Sequence, residues 1–179
     1  MKHLIAMRHA RAAPAERDVA RPLSRSGRRD ARRMGPALAD LGGPFAPSTV
    51  LCSASLRTRE TWAELAPALA PGIVAVFRED LYLASAGQLA AALQELGDPG
   101  CALVLAHEPG LSQLLGRLAG RARPRARVGA ARGMGTACFA ALALEIPSWD
   151  RLDAGCGELV AFRCPADLPL EPGDTPVPG

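Results

Sequence analysis

Lysine, aromatic side chains and long apolar runs are scarce in this 179-residue chain. Lys2 is the single lysine among 21 basic residues, and aromatic residues make up 4% of the sequence, so Leu, Val and Ala must fill the core. No run of about 18 apolar residues occurs, so we expect no membrane-spanning helix and no membrane partner. The apolar run after Lys2 is broken at Arg8, so we also expect no secretory signal and a cytoplasmic protein.

Cysteine is also scarce: the five cysteines are odd in number and scattered, without a Cys-x-x-Cys pair or a His-rich cluster. This pattern gives no support to a metal site, and we expect no cofactor. Because most of the five lie in apolar, strand-like runs, we expect buried free thiols in a reducing cytoplasm. Cys156 and Cys164 could face each other across a hairpin, but spacing cannot establish a disulfide. The other three are Cys52, Cys101 and Cys138.

The length suits one domain with a buried core, and the formal charge of +3 is modest. Composition changes near the C-terminus, where residues 165–179 hold five prolines and few large apolar side chains. We therefore expect a single domain over residues 1–164. We expect the Pro-rich tail, residues 165–179, to be disordered or to lie loosely across the surface.

Short apolar runs alternate with stretches of helical periodicity along the first two thirds of the chain. The runs predict strands at 4–7, 49–52, 73–77 and 102–106, and helices follow from Ser24 or Ser26, after Ser55, at 88–96 and at 111–118. This alternation is typical of a three-layer α/β/α domain with a mostly parallel central sheet.

The last third of the chain has a different pattern. Residues 120–135 are rich in Gly and Arg without a period and are predicted as a long loop. Two late strands, within 136–146 and 158–163, are expected to pair with each other or to extend the sheet at one side, in an antiparallel sense.

Polar side chains follow three of the predicted strands directly. Arg8 and His9 end the first strand, Ser53 ends the second, and His107 follows the fourth. Ligands of open α/β sheets bind at the carboxyl edge of the strands, where such side chains converge. Arginine offers a planar, permanently charged fork for phosphate oxygens, and histidine a nitrogen nucleophile that is largely neutral near pH 7. The pattern indicates phosphoryl transfer to water.

In these residues the sequence resembles the histidine phosphatase superfamily, whose signature is Arg-His-Gly after an N-terminal strand, and most of all its SixA-like branch of phosphohistidine phosphatases. The resemblance covers about residues 3–145. It implies that His9 is the nucleophile, that Arg8 holds the phosphate, and that His107 binds an equatorial oxygen. Arg57 matches the family's Ser-Pro-x-x-Arg-x-x-x-Thr pattern, and Arg21 matches its Arg-Pro-Leu-Thr/Ser pattern as a second clamp.

Two family positions carry different residues here: Ala54 replaces the motif proline, and Ala10 replaces the glycine after the nucleophile. A positive φ at Ala10 would strain the backbone by about 1–2 kcal/mol, and we expect activity to be kept. Ester-cleaving relatives commonly carry a carboxylate that protonates the leaving oxygen. Glu79 and Asp80 lie near that region, either as this acid or as an ordinary charged turn after a strand.

The leading interpretation is removal of phosphate from phosphohistidine on a protein, because imidazole leaves readily without an acid and the short chain leaves its crevice open. The first alternative is a small-molecule phosphatase that uses Glu79 or Asp80. A mutase and a non-catalytic phospho-binding module rank lower.

Several arginines follow the fourth predicted helix, and we expect them to border the crevice mouth and steer an acidic partner; they are Arg121, Arg123, Arg125, Arg127 and Arg132. Nucleic-acid binding through 117–132 ranks last, because that region lacks aromatic residues for base stacking, and we expect no nucleic-acid partner.

Overall fold

A seven-stranded mixed sheet forms the centre of the protein. The computed structural model describes residues 1–169. The strands are β1 (Lys2–Arg8), β2 (Thr49–Ser53), β3 (Val74–Arg78), β4 (Cys101–Ala106), β5 (Ala119–Ala122), β6 (Phe139–Leu144) and β7 (Gly157–Arg163), in the order β3-β2-β4-β1-β6-β7-β5. Of these, β6 alone runs antiparallel to its neighbours β1 and β7. The predicted fold class is confirmed, with the late antiparallel pairing on one side.

Helices cover both faces of this sheet. They are α1 (Arg25–Ala39), α2 (Leu56–Leu65), α3 (Ala86–Gln94), α4 (Gly110–Leu118) and α5 (Pro124–Ala130). Strand β1 alternates between the two cores that result: Ile5 and Met7 pack in the core that includes side chains of α1 and α2, whereas Leu4 and Ala6 pack in the core that includes those of α3 and α4. β1 is therefore buried from Leu4 to Met7, and packing on both faces fixes the position of its carboxyl end.

The loop between β1 and α1 is fixed at both of its ends. Ser24 caps α1 by accepting a hydrogen bond from the Gly27 amide at 3.0 Å, as one of the two predicted caps requires. Gly27 lies so close to the chain after β1 that a Cβ there would be 2.0 Å from the Arg11 carbonyl oxygen. Ala12 also forms a β-bridge with Leu23. These contacts return the loop to the carboxyl edge of the sheet.

The prediction of a long loop at 120–135 was wrong for most of that range, because β5 ends within it and α5 follows. The Gly- and Arg-rich sequence has no apolar period, and α5 has seven residues, so packing rather than propensity stabilises it. Ala126 is buried, and Gly129 lies directly against Phe162 of β7, where a Cβ would be 3.0 Å from the ring.

The expectation that all cysteines are free thiols was also wrong, because Cys138 and Cys164 form a disulfide. Phe139 of β6 pairs with Arg163 of β7, so the residues before and after this pair lie opposite each other. The hairpin partner of Cys164 is thus Cys138. Cys156 lies just before the first residue of β7, whereas Cys164 follows the last, and Cys156 is a free thiol. These two cysteines therefore give no support to the expectation of a reducing cytoplasm.

The described part of the C-terminal tail crosses the face covered by α1. Residues 165–167 form a 3₁₀ turn, and Arg33 donates hydrogen bonds to the carbonyls of Leu168 and Pro169 at 3.2 and 2.7 Å. The predicted disorder of the tail concerns mostly 170–179, which lie outside the described residues. Within residues 1–169, no helix is long and apolar enough to cross a membrane.

Candidate active site

A crevice of about 460 Å³ opens at the carboxyl ends of β1, β2 and β4. Its lining comprises Arg8, His9, Arg11, Ala12, Asp18, Arg21, Arg57, Leu83, His107, Glu108 and Thr136. The structure thus brings together five of the predicted site residues, which are spread over a hundred positions of the sequence.

His9 presents an unprotonated nitrogen to this crevice. Its Nδ1 lies 2.8 Å from the Ala10 carbonyl oxygen, which can only accept a hydrogen bond, so we assign the proton to Nδ1. Its Nε2 therefore carries the lone pair and accepts from Arg57 Nε at 3.2 Å. Burial lowers the pKa of His9 to about 4, and the nearby arginines, Arg57 among them, act in the same direction. The imidazole of His9 is therefore neutral at physiological pH, with a free electron pair on Nε2.

Arg57 connects the two histidines. It is 4% exposed at the start of α2, and its Nη2 lies 3.3 Å from Nδ1 of His107. Because a guanidinium only donates, Nδ1 of His107 must be the acceptor and its Nε2–H donates to Ser53 Oγ at 2.8 Å. Burial lowers the pKa of His107 to about 3, and the positive charge that protonated His9 would carry acts in the same direction.

Two further arginines border the crevice at different depths. Arg8 donates from Nη1 to the Met134 carbonyl at 3.0 Å, while its Nε is buried and has no hydrogen-bond partner among residues 1–169. Arg21 is held in the β1–α1 loop by a hydrogen bond from Nε to the Ala13 carbonyl at 3.1 Å. A buried donor without an acceptor is energetically costly, and Arg8 carries that cost at the crevice wall.

The second turn of α2 fixes the backbone beside His9. Thr61, the last residue of the motif, accepts a hydrogen bond from the Ala10 amide at 3.0 Å. Ala10 is fully buried and is not among the described residues with positive φ. The backbone strain that alanine would cause in place of the family's glycine therefore does not arise.

Asp18 and Tyr82 are crevice-region residues that the sequence did not indicate. The Asp18 carboxylate pairs with Arg57 at 3.1 Å and Arg21 at 3.2 Å and accepts a hydrogen bond from the Tyr82 hydroxyl. That hydroxyl, together with the two arginines, lowers the pKa of Asp18 to about 2. Asp18 lies three residues before Arg21 in the RPLS stretch, but nothing in the pattern separates it from the neighbouring Glu16.

Comparisons with known proteins found matches among solved structures. No protein-family profile matches the chain, and no curated protein sequence matches it significantly. A solved structure assigned as a phosphohistidine phosphatase SixA from Nakamurella multipartitia is 27% identical, with a TM-score of 0.72 over 90% of this chain and 95% of that one. The chain shares the fold of solved SixA phosphohistidine phosphatases and, more distantly, of other histidine phosphatases.

Two other solved structures share this fold. The protein histidine phosphatase SixA complexed with tungstate is 24% identical, with a TM-score of 0.72 over 92% of this chain and 98% of that one. A structure from Escherichia coli assigned as an α-ribazole-5′-P phosphatase is more distant, at 15% identity and a TM-score of 0.56 over 80% and 91% of the two chains. The SixA structures have higher TM-scores than the α-ribazole-5′-P phosphatase structure. This order agrees with the resemblance to the SixA-like branch that Arg21 and its neighbours indicated.

The two carboxylates proposed as a general acid lie apart from the crevice. Glu79 and Asp80 are exposed in a 3₁₀ turn after β3, and neither lines the crevice. Asp80 forms a two-bond ion pair with Arg78, with distances of 3.0 and 2.6 Å. Tyr82, from the same segment, reaches the site instead, with its ring 5.4 Å from that of His107.

The lowered pKa values of His9 and His107 predict how the protein titrates. In an NMR titration of the free protein, His9 and His107 should stay neutral from pH 8 down to about pH 5, because their burial disfavours the charged imidazole. The unfolded chain binds these protons near pH 6.5, so folding stability should fall as the pH drops from 6.5 toward about 4. His3 is the only other histidine, so His9→Ala and His107→Ala variants assign the signals. A midpoint near 6.5 for His9 would contradict the prediction.

Proposed function

We propose that this protein removes phosphate from phosphohistidine on a protein through a covalent intermediate at His9. The observation that carries the proposal is the His9 Nε2 lone pair, which faces a crevice lined by four arginines, beside a buried Arg8 Nε that has no partner among residues 1–169. A non-catalytic phosphate-binding site would need the arginines but not an unprotonated nitrogen aimed among them.

The chemistry takes two steps. In the first, the His9 Nε2 lone pair attacks phosphorus, and the bond from phosphorus to the leaving nitrogen breaks with its electron pair going to that nitrogen. In the second, water attacks the phosphorus of phospho-His9, the bond from phosphorus to Nε2 breaks with its electron pair returning to Nε2, and the proton that water loses is released to solvent together with inorganic phosphate. The hydrogen bond from Nδ1 to the Ala10 carbonyl keeps the ring in the reactive tautomer throughout.

The arginines would stabilise the transferring group. A phosphoryl transition state spreads negative charge over three equatorial oxygens, so catalysis depends on positioning and electrostatics. Arg8, Arg21 and Arg57 supply three permanent charges, and Arg8 Nε gains the acceptor that it lacks. This donor set can surround the oxygens without a metal. Nδ1 of His107 faces the same group and, once protonated, would donate to an oxygen.

The carboxylates at the crevice favour a nitrogen leaving group. Asp18 has its pKa lowered to about 2 and is ionised, so it cannot protonate an alkoxide. Glu108 accepts a hydrogen bond from the Ser112 amide at 3.2 Å, which ties it to the start of α4. Imidazole leaves without an added proton from the enzyme, whereas an alkoxide needs one. The similarity to structures named phosphohistidine phosphatase supports the same substrate class.

A substrate comparison tests this proposal. The wild type should cleave a phosphohistidine peptide and phosphoramidate with a kcat/KM at least about 10²-fold above that for an alkyl phosphate, because a general acid typically contributes about 10²–10⁴-fold to ester cleavage. Glu79→Gln and Asp80→Asn should stay within a few-fold of wild type on every substrate. The protein would instead be a small-molecule phosphatase if the wild type cleaved an alkyl phosphate efficiently and either substitution reduced that activity by two orders of magnitude.

A further inference from the structure

A second cavity, of about 570 Å³, lies between α5 and the end of β7, outside the catalytic crevice. We call it the basic groove, and its lining comprises Pro124, Arg125, Val128, Gly129, Arg132, Phe162, Arg163 and Asp167. It is larger than the crevice itself, and nothing in the proposed catalytic cycle uses it.

Two of its three arginines are available to an external anion. Arg132 pairs with Asp167 at 3.2 Å, which neutralises both charges inside the groove. Arg125 and Arg163 are exposed, and neither has a carboxylate partner in the described chain, residues 1–169. The groove therefore carries uncompensated positive charge.

The structure divides the arginines that the sequence grouped together. Arg121 pairs with Glu145, and Arg123 pairs with Glu158 at 3.4 Å, so both have a carboxylate within the chain. Arg125 is different, because it lines the groove without such a partner. This division lets an experiment separate a local docking site from the general positive charge of the region.

The groove lies at the same edge of the sheet as the crevice. Met7 of β1 pairs with Phe139 of β6, which pairs in turn with Arg163 of β7. Paired antiparallel residues have Cα atoms about 4.5–5.5 Å apart, so the Cα atom of Arg163 lies roughly 10 Å from that of Met7, the residue before Arg8. Both sites therefore lie within the footprint of one protein partner.

One segment joins the two sites directly. The chain from the end of α5 to the start of β6 contributes Arg132 to the groove and Thr136 to the crevice. Between them, the Met134 carbonyl accepts the hydrogen bond from Arg8 at 3.0 Å. A partner that occupies the groove thus lies beside the segment that holds a phosphate-binding arginine.

The surface of the groove suits a peptide better than a nucleic acid. Val128 is 62% exposed at its rim, so apolar contact is available next to the charges. Phe162, the aromatic residue of the lining, is only 4% exposed and covered by Gly129, so it offers no ring face for base stacking.

We propose that the basic groove docks an acidic segment of the phosphorylated protein substrate and holds it while the phosphohistidine occupies the crevice. This inference rests on the proposed function and adds a requirement to it: acidic residues on the substrate surface beside the phosphohistidine. Arg125 and Arg163 provide the attraction, and Val128 provides apolar contact.

The test compares two double variants of the full chain that each remove two positive charges: Arg125→Ser with Arg163→Ser in the groove, and Arg121→Ser with Arg123→Ser outside it. The substrates are a phosphohistidine peptide flanked by Asp and Glu, the same peptide flanked by Gly and Ser, and phosphoramidate. We expect the groove variant to lose about tenfold in kcat/KM on the acidic peptide, as two exposed charge contacts allow, and to keep its rate on phosphoramidate. The control variant should lose little on either.

Three results would overturn the docking proposal: equal losses in the two variants, an equal loss on phosphoramidate, or no preference of wild type for the acidic peptide. Fluorescence anisotropy with the labelled, unphosphorylated acidic peptide measures docking without turnover. If the proposed function were wrong, the wild-type protein would turn over neither peptide and would not turn over phosphoramidate. That result would not depend on what binds to the groove. The proposal that the groove binds a protein would also be overturned if a single-stranded oligonucleotide bound there more tightly than the peptide.

Discussion

Replacement of His9 with alanine should abolish turnover and the covalent intermediate together. The reactive lone pair is fixed by the hydrogen bond of Nδ1 to the Ala10 carbonyl, and alanine removes the atom that attacks phosphorus. We expect kcat to fall by more than about 10⁴-fold, since loss of a nucleophile removes the whole two-step route. Rapid quenching with radiolabelled phosphoramidate should give an acid-labile, alkali-stable protein phosphate in wild type and none in His9→Ala.

Two matched histidine variants make this trapping experiment specific. His3 lies on β1 with its ring 4.7 Å from Phe45, outside the crevice lining, so His3→Ala should label like wild type. His107→Ala keeps the nucleophile but loses a group that faces the phosphate, so it should label more slowly, by about 10²–10³-fold. An acid-stable adduct, or an adduct that persists in His9→Ala, would contradict the assignment of the nucleophile.

The sequence predicts the core of this site because strand ends are easily recognised. The apolar runs before Arg8, Ser53 and His107 each end at a polar residue, and a parallel sheet necessarily brings such ends together. Arg21 could be predicted as a site residue only from the family resemblance, because it lies in a polar loop without hydrophobic periodicity. The loop closes on the site through contacts such as Gly27 against the Arg11 carbonyl, which depend on the tertiary structure.

Other features depend on tertiary contacts that leave no local pattern. Asp18 and Tyr82 meet across 64 positions of the sequence, and neither lies at a strand end. The short helix α5 is held by Phe162, and the Cys138–Cys164 pairing follows from the register of β6 against β7. Because the general-acid prediction rested on sequence proximity to β3, it could not show that Glu79 and Asp80 face away from the crevice.

Replacement of Arg57 should be the second most damaging change, and lysine should not rescue it. Arg57 Nε donates to His9, its Nη2 reaches His107 and Asp18, and its Nη1 donates to the Asp18 carbonyl at 2.8 Å. An arginine that stabilises a phosphoryl transition state is typically worth about 10³–10⁵-fold in kcat, so Arg57→Ala should lose that much. Arg57→Lys keeps the charge but not the planar fork, so it should recover less than about tenfold.

The matched control for Arg57 is Arg59, two positions further along α2. Its guanidinium lies 4.6 Å from the Phe77 ring and donates to the Ala54 carbonyl at 2.9 Å, away from the crevice, so Arg59→Ala should keep nearly full activity. Steady-state kcat and product inhibition by inorganic phosphate are the measurements, and Arg57→Ala should weaken phosphate inhibition as well. Full recovery by lysine would show that charge alone suffices.

Asp18→Asn separates the two roles that Arg57 has in the free protein. The Asp18 carboxylate is ionised and lies 3.1 Å from the Arg57 Nη2, so it competes with phosphate for the same guanidinium. If that competition dominates, the neutral amide should tighten inhibition by inorganic phosphate by several-fold while Arg57 stays in place. If Asp18 mainly positions Arg57, the same variant should weaken phosphate binding and lower kcat toward the value of Arg57→Ala. We expect the first outcome, because the buried contacts of Arg57 with His9 and His107 persist without the carboxylate.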